Sequence, residues 1–320
     1  MDAWFERAGW LALYALILGM AFILWRKFVE GGVCRSGERM DGKTVVVTGS
    51  NTGMGKEIAA DMASRGARVI MACRSMERGN KAADDIRRKL GGGGTLIVQQ
   101  IDLGSLKSVR MFCKTFLKTE KRLDVLINNA GVFFCPQMVT EDGFEYHFGV
   151  NHLGHFLLTN LLLELLKKTP NSRVVLVSSF TYNFTSLDFD NLNYKHSYGR
   201  MQAYMRSKLA NVLFAKELAR RTKGMGIDVF SLNPGGVHTD ITRYLLPQWA
   251  MPVCDPLMAL TIKSPRAGAQ TAIYCAVASE VQGMSGSYFS DCKEKAVGKD
   301  GMNEGIAKKL WEVSERMTDL

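Results

Sequence analysis

A tyrosine and a lysine spaced four residues apart could together carry out proton transfer. Tyr204 and Lys208 lie within a helical pattern, so their side chains share one face of the helix. A phenol has a pKa near 10 and is a poor base at neutral pH. An ammonium about 4 Å away, at an effective dielectric constant of about 20, would stabilise the phenolate by roughly 4 kcal/mol. The spacing therefore predicts a lowered pKa for Tyr204 and a role as acid or base, although such pairs also arise by chance in helices.

A glycine-rich turn follows the first apolar run, at residues 44–48, and precedes a helical pattern. In dinucleotide-binding units the glycines allow a tight turn and close approach of a pyrophosphate, while the helix N-terminus offers N–H groups and a positive dipole end. Three glycines alone are often just a turn, but here the strand, turn and helix context is complete. The turn residues predicted to bind the cofactor are Gly49, Ser50, Asn51, Thr52, Gly53, Met54 and Gly55.

The residues that end the second and third apolar runs bear on which dinucleotide binds. The second run ends in Ala-Cys-Arg, without the acidic residue that would hydrogen-bond a ribose 2′-hydroxyl in an NAD enzyme. Arg74 could instead pair with a 2′-phosphate, which favours NADP(H); a solvated arginine that opens the next helix is the alternative. After the third run come Asp102 and Leu103, where Asp102 could either contact the adenine or cap the following helix.

Six short apolar, β-branched runs alternate with helical patterns. The runs span residues 44–48, 68–72, 96–101, 123–127, 173–178 and 227–232, and the helical patterns span 54–65, 76–90, 105–121, 151–168 and 200–222. This alternation predicts βαβ units and a parallel sheet covered on both faces. The expected fold class is α/β: a doubly wound, Rossmann-type parallel sheet in a single domain at residues 43–320, with an N-terminal membrane-anchor helix.

Residues 1–27 have the pattern of a transmembrane anchor. No residue from Gly9 to Trp25 is charged, which is close to the minimum length of about 17 residues for a bilayer-spanning helix. A cleaved signal peptide is disfavoured, because the N-terminus has no net positive charge and bulky Trp25 stands where small residues precede cleavage; a buried or interfacial helix is the other alternative. Basic residues follow the segment, which predicts a main domain on the cytosolic or matrix side, joined by a linker at residues 28–42.

Composition narrows the class of protein. Of 320 residues, 47% are hydrophobic and 22% charged, which fits a globular domain with a sizeable core and excludes a disordered chain. Lys and Arg exceed Asp and Glu by 41 − 31 = 10, but they are scattered, so no nucleic-acid partner is expected. The seven cysteines show no C-x-x-C or ligand spacing, so neither a disulfide framework nor a metal site is predicted, and a reducing compartment is expected.

Together these motifs resemble the short-chain dehydrogenase/reductase family over about residues 42–290. They keep the family's order: Thr48–Gly55, Asn128–Gly131, Asn151 in NHLGHFLLTN, Ser178 with Ser179, Tyr204 with Lys208, and Pro234–Thr239. TGSNTGMGK, ACRSMERG, INNAGVFFCP and SKLANVLFAKELARR are similar to the microsomal and mitochondrial retinol dehydrogenase group. The resemblance implies an NADP(H)-dependent oxidoreductase that interconverts a lipophilic alcohol and aldehyde, such as retinol and retinal or related lipids.

The resemblance also implies roles for the matching positions. Tyr204 would exchange a proton with the substrate oxygen, Lys208 would lower its pKa and hold the nicotinamide ribose, and Ser179, favoured over Ser178, would hydrogen-bond the substrate oxygen. Asn151 would anchor a water behind Lys208, with a helix N-cap as its alternative. The further cofactor-binding residues are Asn129, Ala130 and Gly131 near the adenine ribose, and Pro234, Gly235, Val237 and Thr239 around the nicotinamide, Thr239 having an ordinary loop threonine as its alternative.

Two segments bear on the substrate. The 24 residues between Ser179 and Tyr204 exceed the length in many soluble members, and could deepen the substrate mouth or only decorate it. The apolar, Met-rich segment at residues 241–265 could form a lid over a lipid-soluble substrate that arrives from the bilayer, or could simply be packed. Steroids or other lipid carbonyls are the alternative substrates, and a non-catalytic nucleotide-binding protein of a membrane or lipid droplet is the alternative function.

Location and assembly are open to several interpretations. The endoplasmic reticulum is the expected membrane, with the mitochondrial inner membrane and the lipid droplet as alternatives. A homodimer through the helices at 151–168 and 200–222 is compatible with the sequence, since related enzymes pair through these surfaces. NADP(H) in a reducing compartment favours reduction over oxidation.

Overall fold

The computed structural model describes residues 2–194, 198–239, 244, 258 and 260–320. Within these residues, one sheet has the strand order β3-β2-β1-β4-β5-β6-β7-β8. Its strands are β1 (Thr44–Thr48), β2 (Arg68–Cys73), β3 (Thr95–Gln100), β4 (Val125–Asn128), β5 (Ser172–Val177), β6 (Ile227–Asn233), β7 (Tyr288–Ser290) and β8 (Lys293–Lys295). All neighbouring strands pair in parallel except β7 and β8, which form an antiparallel pair at the edge. The prediction of a Rossmann-type parallel sheet is confirmed.

Helices cover both faces of this sheet. The helices of the described residues are α1 (Asp2–Glu30), α2 (Gly53–Ser64), α3 (Met76–Lys89), α4 (Leu106–Thr119), α5 (Tyr146–Phe148), α6 (Gly154–Lys168), α7 (Arg200–Arg221), α8 (Pro265–Val277) and α9 (Glu304–Thr318). On β1, Val45 and Val47 belong to the core under α2, α3 and α8, whereas Val46 belongs to the core under α4, α6 and α7. Side chains alternate between the faces of a strand, so a strand buried on both faces is apolar throughout.

The sequence patterns missed five of these elements, the short helix α5 among them, and shifted several boundaries. The helices α8 and α9 and the strands β7 and β8 were not predicted, and each of these strands has only three residues, too few to show a period. The helix predicted at 151–168 is preceded by α5 and by a π-helical turn at Gly149–Leu153, which opens into α6. The three-residue elements α5, β7 and β8 are too short to be stable alone, so they depend on tertiary packing rather than on local propensity.

The N-terminal helix reaches three residues into the predicted linker and then contacts the main domain. The Trp25 indole donates to the Leu260 carbonyl at 3.0 Å, the Arg26 guanidinium donates to the Ile262 carbonyl at 3.3 Å, and Ser264 Oγ donates to the Glu30 carboxylate at 2.9 Å. Across the residues that the structure describes, no helix combines the length and the apolar character that a bilayer crossing needs.

Candidate active site

A cleft of about 180 Å³ opens at the carboxyl ends of β1, β2 and β4. The strand order reverses between β1 and β4, and in open α/β sheets ligands bind in the crevice at this reversal. Most residues predicted to bind a dinucleotide line the cleft: Gly49, Asn51, Thr52, Gly53, Met54, Gly55, Arg74, Asp102, Leu103, Asn129, Ala130, Gly131 and Thr239.

Six of the predicted cofactor residues do not line the cleft; two of them, Tyr204 and Lys208, lie buried on α7. Ser50 is buried beneath the turn, with its hydroxyl 3.4 Å from the sulfur of Cys73. Pro234, Gly235 and Val237 lie outside the lining of the cleft. The Gly235 amide instead donates to Asn233 Oδ1 at 3.0 Å, which shapes the turn after β6.

Close approach of the backbone explains the glycine turn. Gly49 has φ +66°, in the left-handed region that favours glycine. A Cβ on Gly55 would lie 2.3 Å from the carbonyl oxygen of Gly49 and 2.6 Å from Nδ2 of Asn129, so no side chain fits there. The turn is therefore folded tightly against the end of β4, and the first turn of α2 faces the cleft.

A hydroxyl at the end of β1 ties the two strands that flank the cleft. Thr48 Oγ1 accepts the amide N–H groups of Asn129 and Ala130, both at 2.9 Å, and lies 2.9 Å from His155 Nε2. His155 Nδ1 lies 3.0 Å from the Asn151 carbonyl, and burial lowers the pKa of His155 to about 4. The imidazole is therefore neutral: Nδ1–H donates to Asn151, and Nε2 accepts from Thr48. The sequence interpretation assigned His155 no role.

Two arginines reach the cleft at the end of β2. Arg74 is exposed and its guanidinium donates to the Tyr146 hydroxyl at 3.2 Å. Ser75, not Arg74, caps α3 by accepting from the Arg78 amide, and Arg78 also lines the cleft. The sequence interpretation missed Arg78 and Tyr146, whose positions depend on how α3 and α5 pack.

Asp102 and its neighbours close one side of the cleft. Asp102 Oδ1 accepts the Gly104 amide at 2.9 Å, whereas Ser105 caps α4 by accepting from Ser108. The interpretation of Asp102 as a helix cap was wrong. Asp102 and the buried Leu103 remain in the wall of the cleft.

Tyr204 and Lys208 lie buried on the inner face of α7. The Lys208 ammonium donates to the Val177 carbonyl at 3.1 Å and lies 5.6 Å from the centre of the Tyr204 ring. The Ser179 side chain is close enough to the Tyr204 hydroxyl to affect its pKa. A Cβ on Gly131 would come within 3.5 Å of Lys208 Nζ, so the end of the cleft and the ammonium are adjacent.

Burial dominates the protonation of this pair. It raises the pKa of Tyr204 to about 12, against the opposing effect of the nearby Ser179 side chain, and it lowers the pKa of Lys208 to about 8. The lowered Tyr204 pKa expected from the spacing is therefore not found among the chain's own groups, because that argument left out desolvation. Tyr204 is held in its protonated form.

The two serines at the end of β5 are engaged differently. Ser178 is buried and its hydroxyl donates to the Lys208 carbonyl at 2.7 Å, which fastens α7 to the sheet. Ser179 Oγ accepts from the Thr181 hydroxyl at 3.1 Å and is close to the Tyr204 hydroxyl. The geometry places Ser179, rather than Ser178, beside the proton-bearing group.

Asn151 links the cleft to α7. It lies in the π-helical turn Gly149–Leu153, so the N-cap interpretation was wrong. Its side chain accepts from the Val132 amide at 2.8 Å and donates to the Val132 carbonyl at 3.0 Å and to Ser207 Oγ at 2.9 Å. Single π-helical turns occur often at functional sites.

The segment after β6 reaches the cleft at Thr239. A Cβ on Gly53 would lie 2.8 Å from Thr239 Cγ2, so Thr239 packs on the glycine turn. The His238 amide donates to the Lys263 carbonyl at 3.0 Å, which ties this segment to the strand-like residues before α8. Most of the predicted apolar lid, at residues 241–265, lies outside the described residues, as do Cys254 and His196.

Comparisons of the sequence and of the fold with known proteins identify the family of this chain. The family model for short chain dehydrogenases matches residues 43–249. Human retinol dehydrogenase 14 is 48% identical over 97% of both chains, and mouse retinol dehydrogenase 11 is 47% identical over 94% of this chain and 96% of its own. A crystal structure of a putative uncharacterized protein from Mycobacterium paratuberculosis covers 90% of this chain and 98% of its own, at 32% identity and a TM-score of 0.73. The chain belongs to the short-chain dehydrogenase/reductase family and, within it, to the retinol dehydrogenase group.

Proposed function

We propose that this protein is an NADP(H)-dependent oxidoreductase that interconverts a lipophilic alcohol and its aldehyde, with retinol and retinal or related lipid aldehydes as substrates, and that it runs as a reductase. One observation carries the proposal: Tyr204 and Lys208 are both buried on the inner face of α7, with the ammonium 5.6 Å from the centre of the tyrosine ring. The substrate class is supported by identity of nearly half to named retinol dehydrogenases.

Two cations support NADP(H) as the dinucleotide. Arg74 and Arg78 both line the cleft at the end of β2, where a 2′-phosphate on the adenine ribose would lie. A guanidinium binds phosphate through charge-assisted, bidentate hydrogen bonds. The hydrogen bond that Arg74 donates to the Tyr146 hydroxyl keeps that guanidinium at the rim of the cleft.

Tyr204, Ser179 and Lys208 each have a separate part in the protonation of the substrate oxygen. Bound NADPH supplies the hydride that reduces the carbonyl carbon. The Tyr204 hydroxyl then gives its proton to the oxygen of the substrate, while Ser179 hydrogen-bonds the same oxygen where negative charge develops. The positive charge of Lys208 stabilises the phenolate that remains, and Asn151 holds the wall behind Lys208 through Val132 and Ser207.

Replacement of the Tyr204 hydroxyl tests the proton donor. Tyr204→Phe keeps the ring, which packs edge-on against Phe133 at 4.6 Å, and removes the hydroxyl together with its proton. We expect kcat for all-trans-retinal reduction to fall by about 100-fold or more, the usual contribution of general acid catalysis, while NADPH still binds. Tyr274→Phe, which removes a hydroxyl on α8, is the matched control; equal activity of the two variants would contradict the assignment.

The pH dependence of reduction follows from the two buried groups. Tyr204, with its pKa raised to about 12, keeps its proton throughout the usual range, whereas Lys208, with its pKa lowered to about 8, is charged below that pH and neutral above it. We expect kcat/KM for aldehyde reduction to be level below about pH 7 and to fall as the pH rises through about 8. A guanidinium stays charged, so Lys208→Arg should lose this fall. A wild-type profile that stays level to pH 10 would refute the account.

The choice of dinucleotide is tested by direct binding. Arg74→Ala removes a charge-assisted contact to phosphate worth about 1.5–3 kcal/mol, so the Kd for NADPH, measured by fluorescence titration, should rise roughly 10- to 150-fold. The Kd for NADH, which lacks the 2′-phosphate, should change little. Arg88→Ala, which removes an exposed guanidinium paired with Asp85 on α3, is the control. Equal changes for both nucleotides would rule out the phosphate contact.

We also propose that α1 inserts in the membrane of the endoplasmic reticulum, with the main domain on the cytosolic side. Three leucines on α1 are exposed to 61–70%: Leu16, Leu18 and Leu24. The C-terminal end of α1 is hydrogen-bonded to the main domain through Trp25 and Glu30. The exposed apolar surface formed by these leucines is suited to contact with lipid. Pairing of two copies through α6 and α7 stays a prediction.

Membrane insertion is tested by alkaline carbonate extraction of membranes from cells that express the full-length chain. The wild type should remain in the pellet, whereas replacement of Leu16, Leu18 and Leu24 by lysine should release it, since a lysine at the helix centre costs about 2.5–3.5 kcal/mol. Lysines at Met111, Leu117 and Met302, which are exposed apolar residues elsewhere, serve as the control. Release of the wild-type protein would overturn insertion.

A further inference from the structure

The turn after Gly131 holds a backbone conformation that bulky residues rarely adopt. Phe134 has φ +54°, in the left-handed region, where a residue with a large side chain is strained unless its surroundings enforce the conformation. Phe133, just before it, packs edge-on against the Tyr204 ring, with the ring centres 4.6 Å apart and an interplanar angle of 76°. The turn therefore forms a wall beside the Tyr204 hydroxyl. Its strained backbone conformation must be stabilised by neighbouring groups.

Hydrogen bonds hold the backbone on both sides of the two phenylalanines. On one side, Asn151 binds both the amide and the carbonyl of Val132. On the other side, the Cys135 amide donates to His147 Nε2 at 3.1 Å, and the Tyr198 hydroxyl donates to the Cys135 carbonyl at 2.9 Å. Both polar backbone groups are thus bound at each end of the strained turn.

A buried carboxylate fixes the histidine of this arrangement. Glu145 Oε1 accepts the His147 amide at 2.9 Å and lies 2.7 Å from His147 Nδ1, and Oε2 accepts the Phe148 amide at 2.7 Å. Because Nε2 accepts from Cys135, the proton of the imidazole is on Nδ1 and is donated to Glu145. The pairing of Glu145 and His147 thereby sets both the tautomer and the ring orientation that Cys135 requires.

The insertion before Tyr204 completes the arrangement. Asn193 Oδ1 accepts the Glu145 amide at 3.0 Å, and Tyr198 comes from the same inserted segment. Burial and the nearby Glu145 charge both raise the pKa of Tyr198, so its hydroxyl keeps the proton that it donates. Through Asn193 and Tyr198, the insertion is therefore hydrogen-bonded to Glu145 and to the turn at Cys135.

We propose that Glu145, His147 and Tyr198 are positioning residues for aldehyde reduction. They hold the turn at Phe133–Cys135 in its strained conformation, so that the Phe133 ring fixes the orientation of the Tyr204 ring and keeps water from its hydroxyl. They act through the turn rather than on the substrate. The inference rests on the proposed function and assigns it three further residues.

The test compares two tyrosines of the same insertion in the full-length protein. Tyr198→Phe removes the donor to Cys135. Tyr194→Phe is the matched control, because the Tyr194 hydroxyl is buried without a hydrogen-bond partner among the described residues. We expect Tyr198→Phe to lower kcat for retinal reduction about five- to tenfold, as the loss of one net hydrogen bond implies, with the Kd for NADPH unchanged. The control should keep the wild-type kcat.

Hydrogen exchange reports on the turn without any substrate. In Tyr198→Phe and in Glu145→Gln, the amides of residues 132–136 should exchange faster, while those of β4 should keep their wild-type protection. A faster-exchanging turn with unchanged kcat would overturn the proposal, as would a lowered kcat with a fully protected turn. Equal acceleration across the sheet would leave only a structural role and would also overturn it. Absence of retinal reduction in the wild type would count against the proposed function, whereas the exchange result would still decide whether the three residues hold the turn.

Discussion

A buried ammonium is the constraint around which this site is built. Lys208 is almost fully buried, and removing a charge from water is costly unless polar groups surround it. The Val177 carbonyl accepts from it at 3.1 Å, and the centre of the Tyr204 ring lies 5.6 Å away. Because Ser178 also binds the Lys208 carbonyl, the end of β5 holds the lysine at both its backbone and its ammonium.

Hydrogen bonds connect the glycine turn at one end of the site with Tyr204 and Lys208 at the other. From the end of β1, the Thr48 hydroxyl binds the backbone after β4 and the neutral His155, and His155 in turn donates to Asn151. Asn151 then binds Val132 and Ser207, the latter on the helix that carries Tyr204 and Lys208. A chain of buried hydrogen bonds therefore connects the glycine turn to the helix that carries Tyr204, which favours a single rigid arrangement.

Local patterns predicted the parts of the molecule whose signals are local. The β-branched run at residues 44–48 forms β1, as predicted. The glycines after it predicted a tight turn, and the structure leaves no room for a side chain at Gly55. The pKa of Tyr204 could not be predicted in this way. The four-residue spacing to Lys208 indicates a Coulomb interaction, but it does not show that both groups are buried. The parts played by His155 and Arg78 were equally hidden, since each depends on a partner brought near by tertiary packing.

The central claim is that a hydride moves within the cleft and a proton follows from Tyr204. Its most direct test uses NADPH deuterated at both positions of the nicotinamide C4 carbon, all-trans-retinal and the full-length protein, with mass spectrometry of the alcohol formed. The account predicts one deuterium on the carbinol carbon of every retinol molecule produced. Retinol formed without deuterium would contradict it.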